Sequence, residues 1–175
     1  MPVERSDVGT WVLKGNPTAM WAYFENRKDQ GLHPGDLAPR QTWSLGPTAR
    51  NELMEPGDLV ALYMGGPASM LVEIGILNDE HFEGAWDPDY VIDPNDIART
   101  REFRGYDGLI LTNWIGRAQL KADPVIANSE FIRAPQMSNP TYLTPQATIA
   151  LAAMIPTTDL QRAKWAKHPV IARGR

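Results

Sequence analysis

Apolar residues in this chain come in short runs, cut by glycine and proline, and most of the runs are too brief for a helix. Residues 10–14 (TWVLK) read as a strand, closed by the turn signal Gly15-Asn16-Pro17. Pro17 suits a first helical turn, and Ala19, Met20, Tyr23 and Phe24 recur at helical spacing, so a helix is predicted over about 17–27. Residues 31–39 read as a loop, 41–44 as briefly extended, and 47–54 as two helical turns stopped by Pro56-Gly57. The nearly continuous apolar runs 59–64 (LVALYM) and 70–77 (MLVEIGIL) predict a hairpin buried on both faces. Gly75 inside the second run marks a bulge or a close backbone approach. A further strand is predicted at 109–115 (LILTNWI), a helical turn at 117–123 and an extended piece at 131–134. The strongest helix is 147–154, with Thr144 as cap and Pro145 in the first turn; 160–167 reads as a basic terminal helix. Strands and helices do not alternate as in a doubly wound sheet. The expected class is α+β: a small, strongly bent mixed β-sheet or partly closed β-barrel with peripheral helices.

A chain of 175 residues fits one domain with enough buried surface to need no disulfide or metal. We place that domain at 1–156, with an acidic, poorly patterned insertion at about 78–105 and a basic tail at 157–175. The formal charge of −4 is unevenly spread. Asp79, Glu80, Glu83, Asp87, Asp89, Asp93 and Asp96 load the insertion, while Arg162, Lys164, Lys167, Arg173 and Arg175 load the tail. Such a balance does not suit a protein that grips phosphates along an extended footprint. Cysteine is absent, which removes disulfides, thiolate nucleophiles and zinc–thiolate clusters. With no leader-like start and no run of ~18 apolar residues, the expected compartment is the cytoplasm and no membrane is involved.

Familiar catalytic signatures are missing. There is no phosphate loop ending in Lys-Ser or Lys-Thr, no G-x-G-x-x-G and no G-x-S-x-G. His33, His81 and His168 lie in three separate polar segments, unlike zinc ligands. Asp87, Asp89, Asp93 and Asp96 lack the glycine and terminal glutamate of a calcium loop. No metal and no cofactor is expected.

Several short features recur in order: TWVLKGNP, then TWSLGPTARNELMEPGDLVALY, then MLVEIGIL, and after the insertion LTNWIGRAQL and PVIANSEFIRAPQMS. Over residues 10–154 this set resembles the EVE domains, and more distantly the YTH domains, of the PUA-like superfold. The resemblance implies a reader module that accepts a modified cytosine or adenine of DNA or RNA in an aromatic pocket, alongside an effector protein that supplies catalysis. Stacking on one aromatic ring contributes roughly 1–3 kcal/mol, against a few kcal/mol for extruding a base.

On that resemblance Trp43 matches the pocket tryptophan and Asn16 the polar residue ending the first strand, with Lys14 and Gly15 beside it. Phe131, with Trp21 behind it, is the expected second wall; the YTH pattern has a tryptophan there, and this chain has none between Ile115 and Ala163. Arg133, Gln136, Met137 and Ser138 are placed at the base edge or backbone, and Arg50 at a phosphate. Trp11 and Trp114 are expected in the core, Trp86 as a local anchor of the insertion, and Trp165 either packing the tail or stacking on a ligand. Two alternatives stand beside the reader. One is a hydrolase of modified nucleosides using Lys14 with Glu52 or Glu73; the other is an interaction module with a vestigial pocket.

Overall fold

A computed structural model describes residues 2–136 and 139–174 of the chain. The fold is α+β, built on six strands: β1 (Thr10–Gly15), β2 (Leu37–Leu45), β3 (Leu59–Met64), β4 (Met70–Gly84), β5 (Arg101–Gly116) and β6 (Thr141–Leu143). They form one open mixed sheet in the order β2-β5-β4-β3-β1-β6, in which only β1 and β3 run parallel. Helix α1 (Tyr23–Asp29) follows β1; α2 (Arg117–Ala122), α3 (Pro124–Ala127) and α4 (Glu130–Arg133) follow β5; α5 (Pro145–Ala152), α6 (Thr157–Arg162) and α7 (Pro169–Ala172) close the chain. Among the described residues no helix is long and apolar enough to cross a membrane.

The bend comes from the β4–β5 ribbon. A straight strand rises about 3.3 Å per residue, so the sixteen residues of β5 would span roughly 50 Å. Yet Arg101 at its start and Arg117 just past its end line the same cavity. Two irregularities allow this. Between the pairs Leu71–Ile115 and Glu73–Ile110, Val72 alone faces residues 111–114; between Leu77–Tyr106 and His81–Arg104, residues 78–80 face Gly105 alone. Extra residues on one strand bend and coil a ladder. Gly105 is needed there, because a Cβ would lie 2.4 Å from Asn78 Oδ1 and 2.6 Å from Glu80 Cβ. The sheet thus curls until its two edge segments meet: Gly46 N–H, after β2, donates to Asn139 O, before β6, at 2.9 Å.

Alternation along the strands sorts side chains onto two faces. Val12, Leu59, Ala61 and Tyr63 point to one cluster and Leu13, Val60, Leu62 and Met64 to the other. The first cluster is aliphatic and covered by α2–α7; the second lies inside the curl and is rich in aromatic rings.

The hairpin of β3 and β4, the α2 turn and the α5 helix form where expected, with Thr144 Oγ1 accepting from Ala147 N at 3.2 Å. Gly75 marks a close approach, since a Cβ would lie 2.5 Å from Asp107 O. Other expectations are corrected. The helix expected over 17–27 begins only at Tyr23: residues 17–20 form a turn, and Ala22 N–H donates to Tyr90 O (2.7 Å) and Ile92 N–H to Met20 O (3.0 Å), which ties residues 20–22 to the 85–100 segment instead. The loop expected to run to residue 39 yields to β2 at Leu37, and residues 130–133 are helical rather than extended. The excursion at 78–105 shrinks to residues 85–100, since its flanks extend β4 and β5. The β4 flank is mostly exposed and polar, and the β5 flank buries Phe103 and Tyr106 without a regular alternation, so the sequence shows no strand there. The basic tail is part of the core: Trp165 is fully buried and donates Nε1–H to Gly75 O at 2.8 Å. Trp114, expected inside, is 39% exposed because it sits in the first bulge, where Phe24 packs at 5.3 Å.

Candidate functional site

The carboxyl ends of β1, β2 and β3 converge with the start of α2 and the residues after α4 around a cavity of about 610 Å³. Pockets of about 300–1,000 Å³ are the usual size for small ligands. Lys14, Gly15 and Asn16 form one wall, Ser44, Leu45 and Gly46 a second, Tyr63, Gly65 and Gly66 a third. Phe131, fully buried, and Tyr63, 4% exposed, meet edge to face at 5.3 Å and underlie the cavity.

The Lys14–Asn16 wall is held from three sides. Asn139, which also lines the cavity, clasps the Lys14 peptide: Lys14 N–H donates to Oδ1 (2.7 Å) and Nδ2 donates to Lys14 O (2.6 Å). Trp43 Nε1–H donates to the same carbonyl at 3.1 Å. Gly65 N–H donates to Gly15 O at 2.7 Å. Asn16 turns the chain away through its Oδ1, which accepts from Thr18 N (3.1 Å) and Oγ1 (2.9 Å). Lys14 Nζ donates to Pro135 O at 3.0 Å. Burial pushes this ammonium below its ordinary pKa; Glu130 opposes that shift and Arg50 adds to it.

Trp43 and Trp21 are not cavity walls. Trp43 is 1% exposed and packs behind Gly15, where a Cβ would lie 2.6 Å from its Cζ2. Trp86, carried by the segment after β4, stacks on Trp21 at 5.1 Å, and both meet Trp43 edge-on at 5.5 and 5.3 Å. The three indoles pair with one another because the curled sheet closes over them. Trp21 Nε1 is buried without a partner among the described residues. Deeper still, Arg27 Nε meets Glu73 Oε1 at 2.5 Å, and the Tyr23 and Tyr106 hydroxyls each donate to Glu73 at 2.7 Å. Burial first, and the Glu73 carboxylate second, hold both phenols well above their ordinary pKa. Burial opposes the Arg27 charge, but Tyr106 and Glu73 outweigh it and raise the guanidinium pKa.

Of the residues expected at the site, Lys14, Gly15, Asn16 and Phe131 line the cavity. Arg50 does not: its Nη1 bonds Glu130 Oε1 (2.7 Å) and its guanidinium sits over the Tyr142 ring. Arg133 is exposed and lines a separate hollow beside α3 and α5. Ser138, like Met137, lies outside the described residues. Glu52 is exposed and Glu73 belongs to the buried network, so neither candidate carboxylate lines the cavity beside Lys14. Conversely, Arg101, Ser69 and Asn139 line it and were not among the expected site residues. Arg101 and Arg117 flank the two ends of β5, and nothing local in the sequence announces that these ends meet.

No family model matches the chain, and no curated protein matches it. Solved structures do share its fold. The hypothetical protein from Leishmania major has 13% identity and a TM-score of 0.56 over 91% of this chain and 99% of its own. PSPTO5229 from Pseudomonas syringae has 19% identity and a TM-score of 0.54 over 83% and 98%. Rpa0253 from Rhodopseudomonas palustris has 18% identity and a TM-score of 0.52 over 84% and 92%. At these identities the likeness is one of fold.

Proposed function

We propose that the cavity at the ends of β1, β2 and β3 receives a modified base of DNA or RNA, and that the protein is a reader module. It would act in the cytoplasm with an effector protein that supplies the chemistry. The observation that carries this reading is the composition of the wall. Apolar surface from Met20, over the buried Phe131–Tyr63 pair, faces a strand end whose backbone is held rigidly by Asn139 and Trp43, as a flat, partly polar ring requires. The resemblance noted in the sequence points to the same ligand. In place of a cage of exposed indoles, the base would lie against Met20 and the strand-end backbone, with the Phe131–Tyr63 pair and the three indoles buried behind that wall.

Binding to short oligonucleotides tests it, each carrying one 5-methylcytosine or N6-methyladenine and compared with its unmodified twin at fixed salt. Gly65→Leu is the control. A Cβ at Gly65 meets only Gly15 O, at an ordinary 3.5 Å, so the larger side chain fills the cavity without disturbing its wall. The expected result is a preference for one modified oligonucleotide that Gly65→Leu abolishes. Equal, weak binding of all oligonucleotides by both proteins would sink the reading.

A further inference from the structure

The cavity is positively charged in a chain of net charge −4. Lys14, Arg101 and Arg117 line it, and among the described residues no Asp or Glu does. Arg117 is the most telling of the three. It is half-buried, and its guanidinium donates only to neutral oxygens, Ile132 O at 2.8 Å and the Tyr63 hydroxyl at 3.3 Å. No carboxylate reaches it among the described residues. A partly desolvated charge without a counter-charge is costly, and a guanidinium fork suits a phosphate oxygen pair.

Arg101 comes from the other end of β5. Its Nη2 bonds Asp96 Oδ1 at 3.0 Å, inside the 85–100 segment, and its Nε is buried without a partner. The same segment grips Met20 and Ala22 next to the cavity through the Tyr90 and Ile92 backbone. It therefore both braces the wall and presents a cation to it.

We infer that the cavity holds a phosphate together with the base, bound by Arg117 and Arg101, so that the smallest ligand is a nucleotide rather than a nucleoside. The inference rests on the reading of the cavity as a base site. The phosphate belongs either to a free nucleotide or to a polynucleotide strand, and the chemistry is shared. The segment at 85–100 is then part of the site, since Asp96 positions Arg101.

Calorimetric titration of the full chain tests this. The probes are 5-methylcytidine, N6-methyladenosine, their 5′- and 3′-monophosphates, hexanucleotides carrying the same bases, and inorganic phosphate. A nucleotide is expected to bind at least about tenfold more tightly than its nucleoside, a gap that narrows as salt rises. Arg117→Gln and Arg101→Gln should each shrink the gap, taken as the ratio of nucleotide to nucleoside affinity within the same variant, to about threefold or less; a misfolded variant binds neither. A hexanucleotide that binds better than both monophosphates identifies a strand as the source; equal binding identifies a free nucleotide. Equal affinity for nucleoside and nucleotide overturns the phosphate site and leaves the base reading standing. Binding of inorganic phosphate and of modified and unmodified nucleotides alike, lost in Arg117→Gln, upholds the phosphate site and overturns the reading of a modified base. No binding of any nucleoside, nucleotide or hexanucleotide overturns both.

Discussion

The two faces of the curled sheet are made differently. The outer face buries Val12, Leu59, Ala61, Leu71, Ile74, Leu109 and Leu111 under α2–α7, with Trp165 the largest side chain and one hydrogen bond, to Gly75 O, fixing it. The inner face holds Trp11, Trp21, Trp43 and Trp86 around a buried ion pair and two phenols. Aliphatic packing stabilises by removing area from water and tolerates substitutions that keep volume. A buried charge pair adds little net stability but punishes loss of one partner. The two faces are thus expected to respond differently to substitution, the outer through lost apolar burial and the inner through an uncompensated charge. The cavity draws on both, taking Phe131 and Tyr63 from the outer cluster and Leu45 and Met20 from the inner.

The largest expected effect breaks the inner face. Glu73→Gln leaves the Arg27 charge buried without a counter-ion and should cost about 3–5 kcal/mol in urea unfolding. The paired replacement Glu73→Leu with Arg27→Met should recover most of that loss. If the pair is as unstable as the single variant, the network is needed for folding as such and the contrast between the faces fails. Next comes the outer face. Trp165→Phe keeps the ring burial but removes the donor to Gly75 O, at a cost of about 1–3 kcal/mol. It should leave oligonucleotide binding unchanged; a loss of binding at full folding would show that the outer face reaches the site.

The smallest effect is a pH dependence. Burial pushes His168 below its ordinary pKa of 6.5, while Asp58 opposes the shift. Its Nδ1 accepts from Val170 N at 3.2 Å and so caps α7 as the neutral ring. The unfolded chain takes up the proton first, so this contribution is complete above about pH 6.5 and is lost as pH falls below it. His168→Asn keeps a capping side chain without the titration and should flatten the slope of Tm against pH between about 6.5 and 5. An unchanged slope would place the titration elsewhere.

Much of the fold was readable where local patterns carry it. Unbroken apolar runs marked β3 and the first half of β4, and Thr144-Pro145 marked the start of α5. The polar half of β4 was not readable, because exposed ladder residues such as Asp79, Glu80 and His81 need no apolar period, and neither was the first half of β5, where the bulge at Gly105 breaks the alternation of buried Phe103 and Tyr106. Lys14, Gly15 and Asn16, a strand end and its turn, line the cavity, and so does Phe131, which only the resemblance singled out. Trp43, placed by the resemblance on the pocket wall, is covered by the curl of the sheet.

By itself the sequence determined that two-sided burial dominates β3 and early β4, that Thr144-Pro145 opens a helix, and that one glycine-and-proline turn ends β1. It also determined that no cysteine chemistry is available. Only the tertiary structure decided where those pieces meet. Two bulges in one ribbon set the curvature, and curvature is a sum over many residues that no short window contains. That sum brings Arg101 and Arg117, sixteen positions apart on a strand that would otherwise separate them by roughly 50 Å, to one cavity, and turns three tryptophans inward behind its wall.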